Sequence, residues 1–274
     1  MSSAPPAARM KPTIQRTEAD EMQEFDGKVA LVTGAGSGIG RATAIAFARE
    51  GAAVAVSDVD RRGGEETVRE IGMANPERRA VFIAADVSKA DAVERMVEKT
   101  LGMFGRLDYA FNNAGIEGEM AATVECTEEN WEHVIGVNLT GVWLCMKAEV
   151  PAMLARGGVI VNCSSVAGLV GFRNLPAYCA SKGGVVELTR ATALEYADAG
   201  IRVDAVCPGV IRTPMVDRVI GGDAELEAQF TALEPIGRLG EPKEIAESVV
   251  WLCSDGASFV TGHALVVDGG LVAQ

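Results

Sequence analysis

The chain contains only two histidines, His133 and His263, and its six cysteines (126, 145, 163, 179, 207 and 253) form no C-x-x-C pair. The usual Cys/His metal spacings are therefore missing, and no catalytic metal is expected. Small unpaired thiols suit a reducing compartment, so a cytoplasmic location is predicted. No apolar run approaches the ~20 residues needed to cross a bilayer. Basic residues are in deficit as well: 25 Lys and Arg face 38 Asp and Glu, a formal net charge of −13. Such a surface repels phosphate backbones and anionic lipid, which argues against nucleic-acid and membrane partners. Also absent are the Gly-Lys-Ser/Thr of a P-loop and the G-x-S-x-G elbow of a hydrolase.

What is present is an ordinary globular composition, 48% hydrophobic and 23% charged over 274 residues. Residues 1–24 mix Pro, Ala, Ser and both charge signs without the apolar segment of a secretory signal, and read as a flexible extension. Short β-branched runs follow: KVALVTG (28–34), AAVAVSD (52–58), AVFIAAD (80–86), LDYAFNN (107–113), GVIVNCSS (158–165), IRVDAVCPG (201–209) and HALVVDGG (263–270). Most are continuous hydrophobic stretches, as expected of strands covered on both faces. Helix-length patterns lie between them. Ser88 with Asp91 predicts a capping box opening a helix that ends near Gly102, and Thr127 predicts the start of a long helix reaching about Leu154. The alternation implies a doubly wound α/β domain over residues 25–274, a parallel sheet of about seven strands with helices on both faces. Residues 211–241 break the rhythm with Pro214, Gly221, Gly222 and Pro235 around ELEAQFTAL, and are expected to form an inserted flap.

The first strand runs into TGAGSGIG, Thr33 to Gly40. Glycines there permit a tight turn, bring backbone close to a ligand and aim helix N-terminal N–H groups outward, a cradle for pyrophosphate. Asp58 closes the second strand twenty residues after Gly38. A carboxylate at that place can accept hydrogen bonds from both adenosine ribose hydroxyls. It also repels a 2′-phosphate, since like charges at ~4 Å cost on the order of 4 kcal/mol at an effective dielectric near 20, before screening. Ser37 and Val59 offer no compensating cation, and Arg61 and Arg62 read as solvated residues at the next helix start. The cofactor expected from these residues is NAD.

In AYCASKGG, Ala177 to Gly184, a tyrosine and a lysine stand four residues apart and so share one helix face. Oxidising an alcohol removes a hydride from carbon and a proton from oxygen. A phenol at its ordinary pKa of ~10 is a poor base, and bringing it near ~7 takes about 4 kcal/mol of differential stabilisation. An ammonium in water at ~4 Å gives only ~1 kcal/mol, whereas one in a closed site gives more. A proton-transfer pair must therefore face a partly desolvated cleft.

With these segments in view, residues 25–272 resemble the short-chain dehydrogenase/reductase family in its single-domain, Rossmann-like form. TGAGSGIG resembles the family's cofactor loop, Asp86-Val87 its adenine-contacting pair, NNAG (112–115) the segment beside the cofactor, and PGVIRT (208–213) its nicotinamide-side loop. The resemblance implies cofactor contacts from Gly34, Ser37, Gly38, Ile39, Gly40, Asp58, Asp86, Val87, Asn113, Ala114, Gly115, Tyr178, Lys182, Pro208, Gly209, Ile211 and Thr213. It also implies a catalytic set: Tyr178 as general acid/base, Lys182 on the nicotinamide ribose, Ser165 in preference to Ser164 on the substrate oxygen, and Asn138 holding a water that joins Lys182 to solvent. The activity implied is NAD-dependent interconversion of a secondary alcohol and a ketone. Val166, Phe172, Leu175 and Met215 suggest an apolar pocket for a hydrophobic or cyclic substrate. An NADPH-dependent 3-oxoacyl reductase and a non-catalytic dinucleotide sensor are the competing readings. Asp58 speaks against the first and the intact catalytic set against the second. The family commonly forms homotetramers, and the apolar faces of 131–154 and 178–197 are consistent with that. His133, His263 and the tryptophans Trp131, Trp143 and Trp251 read as surface or packing residues.

Overall fold

A computed structural model describes residues 24–274 except 76 and 78. The seven hydrophobic runs form seven strands: β1 (Val29–Thr33), β2 (Ala53–Asp58), β3 (Ala80–Ala84), β4 (Tyr109–Asn112), β5 (Gly158–Cys163), β6 (Ile201–Pro208) and β7 (Ala264–Val267). All pairings are parallel, in the order β3-β2-β1-β4-β5-β6-β7. The chain winds outward from β1 to β3, then returns to β4 on the other side of β1. A crevice must therefore open beyond the carboxyl ends of β1 and β4.

Helices cover both faces. On one side α1 (Gly38–Arg49), α2 (Arg61–Ala74) and α9 (Pro242–Cys253) bury Phe47, Ile71, Ile245 and Val249 against the sheet. On the other, α3 (Ala90–Phe104), α5 (Gly141–Met153) and α6 (Pro176–Tyr196) bury Met96, Val142, Met153 and Val185. Ala44 and Ala48 let α1 lie close to the strands, and Gly51, at φ +109°, turns the chain after that helix into β2. No helix among the described residues is long and apolar enough to cross a membrane.

One local expectation is corrected and another is refined. Ser88 does not cap α3; its N–H and hydroxyl both donate to Asp86 Oδ1 (2.9 and 2.7 Å), and the helix begins two residues later without a side-chain cap. The aspartate two residues back satisfies the serine first. Thr127 does cap the expected long helix, in which α4 (Glu128–Ile135) passes through a π turn at Gly136–Thr140 straight into α5 and ends at Met153. The expected flap is clamped at its base, where Ile211 bridges Gly240, and carries α7 (Pro214–Ile220) and α8 (Ala224–Leu233). The expected extension lies outside the described residues except for Glu24, whose carboxylate accepts the Asp255 N–H.

Candidate active site

The crevice above β1 and β4 is a cleft of about 650 Å³. Its floor is the turn from β1 to α1. Gly34 and Gly38 have φ of +61° and +52°, and a methyl on Gly40 would collide with the Gly34 carbonyl. Only glycine allows so tight a turn. Ser37, the N-cap of α1, makes no side-chain cap, so the first-turn N–H groups of that helix are left to an anion from the cleft. The second asparagine of NNAG holds the turn from behind: Asn113 Nδ2 donates to the carbonyls of Thr33 and Gly34 at 3.0 and 3.1 Å.

Asp58 stands at the rim, where β2 ends. Its Oδ2 accepts the Gly36 N–H and its Oδ1 the Asp60 N–H, each at 2.8 Å. Two of the nearby cations are already engaged. Arg41 pairs with Glu70 at 2.9 Å and donates to the Gly36 carbonyl, while Arg61 pairs with Glu65 at 3.1 Å. Beside Asp58, the buried hydroxyl of Ser57 lines the cleft without a hydrogen-bond partner. A groove with uncapped N–H groups, an orphan hydroxyl and a fixed carboxylate suits a dinucleotide.

Tyr178 and Lys182 form the opposite wall, one turn apart on α6. Tyr178 is half-buried. Lys182 is only 4% exposed, and its Nζ donates to the Cys163 carbonyl at 2.8 Å and lies 5.7 Å from the Tyr178 ring centre. The desolvated setting required by the sequence is therefore present for the ammonium. Burial pushes the neighbouring Cys163 thiol up, with Lys182 opposing the shift. Ser164 and Ser165 differ sharply. Ser164 is buried and spends its hydroxyl proton on the Lys182 carbonyl at 2.8 Å. Ser165 accepts the Ala167 N–H at 3.1 Å, which leaves its own proton uncommitted. Gly168 makes this packing possible, because a methyl there would lie 2.7 Å from the Lys182 carbonyl.

Asn138 is fully buried in the π turn, where Oδ1 accepts the Ile116 N–H (2.8 Å) and Nδ2 donates to the Ile116 carbonyl (2.9 Å) and to Ser181 Oγ (3.2 Å). It braces the strand exit after β4 from behind the cleft wall. A methyl on Gly115 would lie 3.3 Å from Asn138 Oδ1 and 3.4 Å from Lys182 Nζ, so both polar groups border one small space.

Of the expected cofactor residues, Gly34, Ser37, Gly38, Ile39, Asp58, Asp86, Val87, Asn113, Ala114, Gly115, Tyr178, Lys182 and Thr213 line the cleft. Gly40, Pro208, Gly209 and Ile211 sit behind it and shape the chain. Of the expected substrate residues, Met215 faces the cleft, whereas Val166 is buried and Phe172 and Leu175 lie half-buried in the segment leading into α6. The backbone of Phe172 is tied to the Cys179 thiol, with its N–H 3.4 Å from Sγ. His133, read as a surface residue, is exposed on α4 and also lines the cleft, as do Ile116, Val137 and Arg218, which no motif marked. Helical spacing carried the signal for two of them: His133 is four residues before Val137, and Arg218 three after Met215. Arg218 also reaches Glu117 across the cleft at 3.2 Å. The tryptophans are on helices, but Trp131, Trp143 and Trp251 remain 43–46% exposed, more than packing residues would be.

The family model described as enoyl-(acyl carrier protein) reductase matches residues 34–272. The chain is 47% identical over 253 residues to a cyclohexanol dehydrogenase of Acinetobacter sp. strain SE19, across 92% of this chain and 97% of that relative. It is 44% identical over 254 residues to a 2,5-dichloro-2,5-cyclohexadiene-1,4-diol dehydrogenase of Sphingobium indicum, across 92% and 100%. Among solved structures, a levodione reductase superposes with a TM-score of 0.89 at 40% identity, over 91% of this chain and 99% of that one.

Proposed function

The chain belongs to the short-chain dehydrogenase/reductase family, and from that premise we propose that it is an NAD-dependent dehydrogenase interconverting a cyclic secondary alcohol and its ketone. One observation carries the reading: Tyr178 and Lys182 line the same cleft as the glycine turn and Asp58. The ring substrates in the relatives' names support a cyclic alcohol.

When bound, a nicotinamide dinucleotide supplies the hydride acceptor. The uncapped start of α1, with Gly34, Ser37, Gly38 and Ile39, holds the pyrophosphate, and Gly40 keeps the turn tight. Asp58 takes the ribose hydroxyls, Asp86 and Val87 the adenine side, and Asn113, Ala114 and Gly115 the middle of the groove. Pro208, Gly209, Ile211 and Thr213 shape the nicotinamide side. Asp58 disfavours a 2′-phosphate, Arg41 and Arg61 are already paired, and Arg62 is exposed at the start of α2. This speaks against the NADPH-dependent 3-oxoacyl reductase alternative.

The phenolate form of Tyr178 takes the substrate hydroxyl proton and becomes the phenol, and Lys182 supplies the adjacent positive charge and grips the ribose. Ser165 donates its free proton to the substrate oxygen. The space at Gly115 supports a water there, held by Asn138 Oδ1 and in reach of Lys182 Nζ, as the proton's way out. Met215 on the flap contacts the ring. The six free thiols support a reducing, cytoplasmic setting. The half-exposed Trp131 and Trp143 with Leu194, 85% exposed on α6, support burial of those faces in a homotetramer.

The test is NADH formation over cyclic, steroidal, sugar and aliphatic alcohols, with NADP in parallel. Cyclic alcohols with NAD should be turned over fastest. Thermal stabilisation by NAD without NADH from any alcohol would leave only a binder.

A further inference from the structure

Glu234 leaves α8 at the end of the flap and is 3% exposed. Its Oε1 accepts the Val210 N–H at 2.6 Å, joining the flap to the loop that leaves β6. The same carboxylate sits over two glycine backbones from separate strand exits. A methyl on Gly209 would lie 2.5 Å from Oε1, and one on Gly269 2.7 Å from Oε2. The peptide after it completes the joint, since the Ile236 N–H donates to the Gly269 carbonyl at 3.1 Å. No described ion pair includes Glu234. Arg238 borders the same small cavity, but its guanidinium goes to Glu244. The nearest acid, Asp268, is occupied by the N–H groups of Gly270 and Val272.

A carboxylate buried without a cation is a costly choice for mere packing, where an apolar side chain would serve. Its position suggests what it does. The loop it grips, Val210 with Gly209 and Ile211, leads into Thr213 and Met215 at the cleft, and Thr213 packs 3.2 Å from the Cβ position of Gly38 in the glycine turn. We propose that Glu234 is a positioning residue: its carboxylate pins the flap's exit to the 208–211 loop and thereby holds Thr213 and α7 over the cofactor groove. The inference rests on the dehydrogenase reading for its purpose, but concerns a contact within the chain that can be read without turnover.

The experiment compares Glu234→Leu, Glu234→Gln and the unsubstituted chain in two measurements: the NADH dissociation constant by tryptophan fluorescence, and the initial rate of tryptic cleavage at Arg212 and Arg218. Leucine removes the acceptor, and glutamine keeps an oxygen for the Val210 N–H. Loss of one charge-assisted hydrogen bond should weaken NADH binding and speed cleavage by about tenfold each in Glu234→Leu, with Glu234→Gln within about twofold of the parent. A general loss of stability would lower the thermal midpoint without favouring those two cleavage sites. Unchanged binding and cleavage in Glu234→Leu, or a Glu234→Gln variant as impaired as Glu234→Leu, would overturn the proposal. Should Glu234→Leu show no cooperative melt, Glu234→Met, which likewise offers no oxygen to the Val210 N–H, is measured instead against the same expectations. A failed alcohol screen leaves these readouts standing, so the two proposals fail separately.

Discussion

The ammonium of Lys182 lies 2.8 Å from the carbonyl oxygen of Cys163, in a position only 4% exposed. Strand β5 thus aims the charge, while α6 brings Tyr178 one turn away to share it. Because the site offers one carbonyl acceptor in a confined space, Lys182→Met should lower kcat by about 100-fold or more, with Lys182→Arg failing to restore it. Restoration by arginine would mean that charge alone matters, without the buried geometry.

The two serines separate cleanly. Ser165→Ala removes the uncommitted donor and should cost about 10²–10³ in kcat. Ser164→Ala removes the hydroxyl on the Lys182 carbonyl and should instead cost about 1 kcat-neutral kcal/mol of stability. Chemical denaturation and steady-state kinetics on both variants would expose any exchange of roles.

Asp58→Ala should shift cofactor preference toward NADP by about tenfold to a hundredfold in relative kcat/KM, the repulsion being reduced by solvent at the rim. NAD should bind more weakly too, since Asp58 also receives the Gly36 N–H. An unchanged NAD/NADP ratio would remove Asp58 from cofactor selection.

Glu149, fully buried on α5, accepts from Asn112 Nδ2 at 3.0 Å and has a second oxygen without a partner. Burial pushes its carboxyl up to about 7 from the ordinary 4.5, with the Asn112 hydrogen bond opposing. The unfolded chain then loses this proton first as pH rises. Stability is highest below the ordinary value and falls between about 4.5 and about 7, by on the order of 3 kcal/mol. Urea unfolding at about pH 5 and about pH 8 should show this decline in the parent and its loss in Glu149→Gln. Equal slopes in both proteins would place the titration elsewhere.

Much of the architecture was legible because continuous apolar runs mark strands buried on both faces, and all seven runs became strands. The glycine turn, Asp58, Tyr178 and Lys182 were legible because each depends on local spacing. What escaped depends on contacts between distant segments. Ser88 satisfied the requirements of a cap, yet its hydroxyl turned back to Asp86. The register of the helix after Thr127 gave no warning of the π turn that buries Asn138. Phe172 and Leu175 looked like pocket residues on composition, but the path of their segment is set by the Cys179 thiol and by Asn174, which adopts φ +63° and accepts the Ala121 N–H. Glu234 drew no attention, since its partners Val210, Gly209 and Gly269 are remote in sequence.

The most direct measurement is Tyr178→Phe, assayed for NADH formation from the cyclic alcohol that the unsubstituted chain oxidises fastest and, separately, for NADH binding. The phenolic oxygen is removed while the ring over Lys182 stays. The expected result is a fall in kcat of about 10²–10⁴-fold with the NADH dissociation constant within about threefold of the parent. Substantial turnover by Tyr178→Phe would contradict the assignment of the proton transfer to Tyr178.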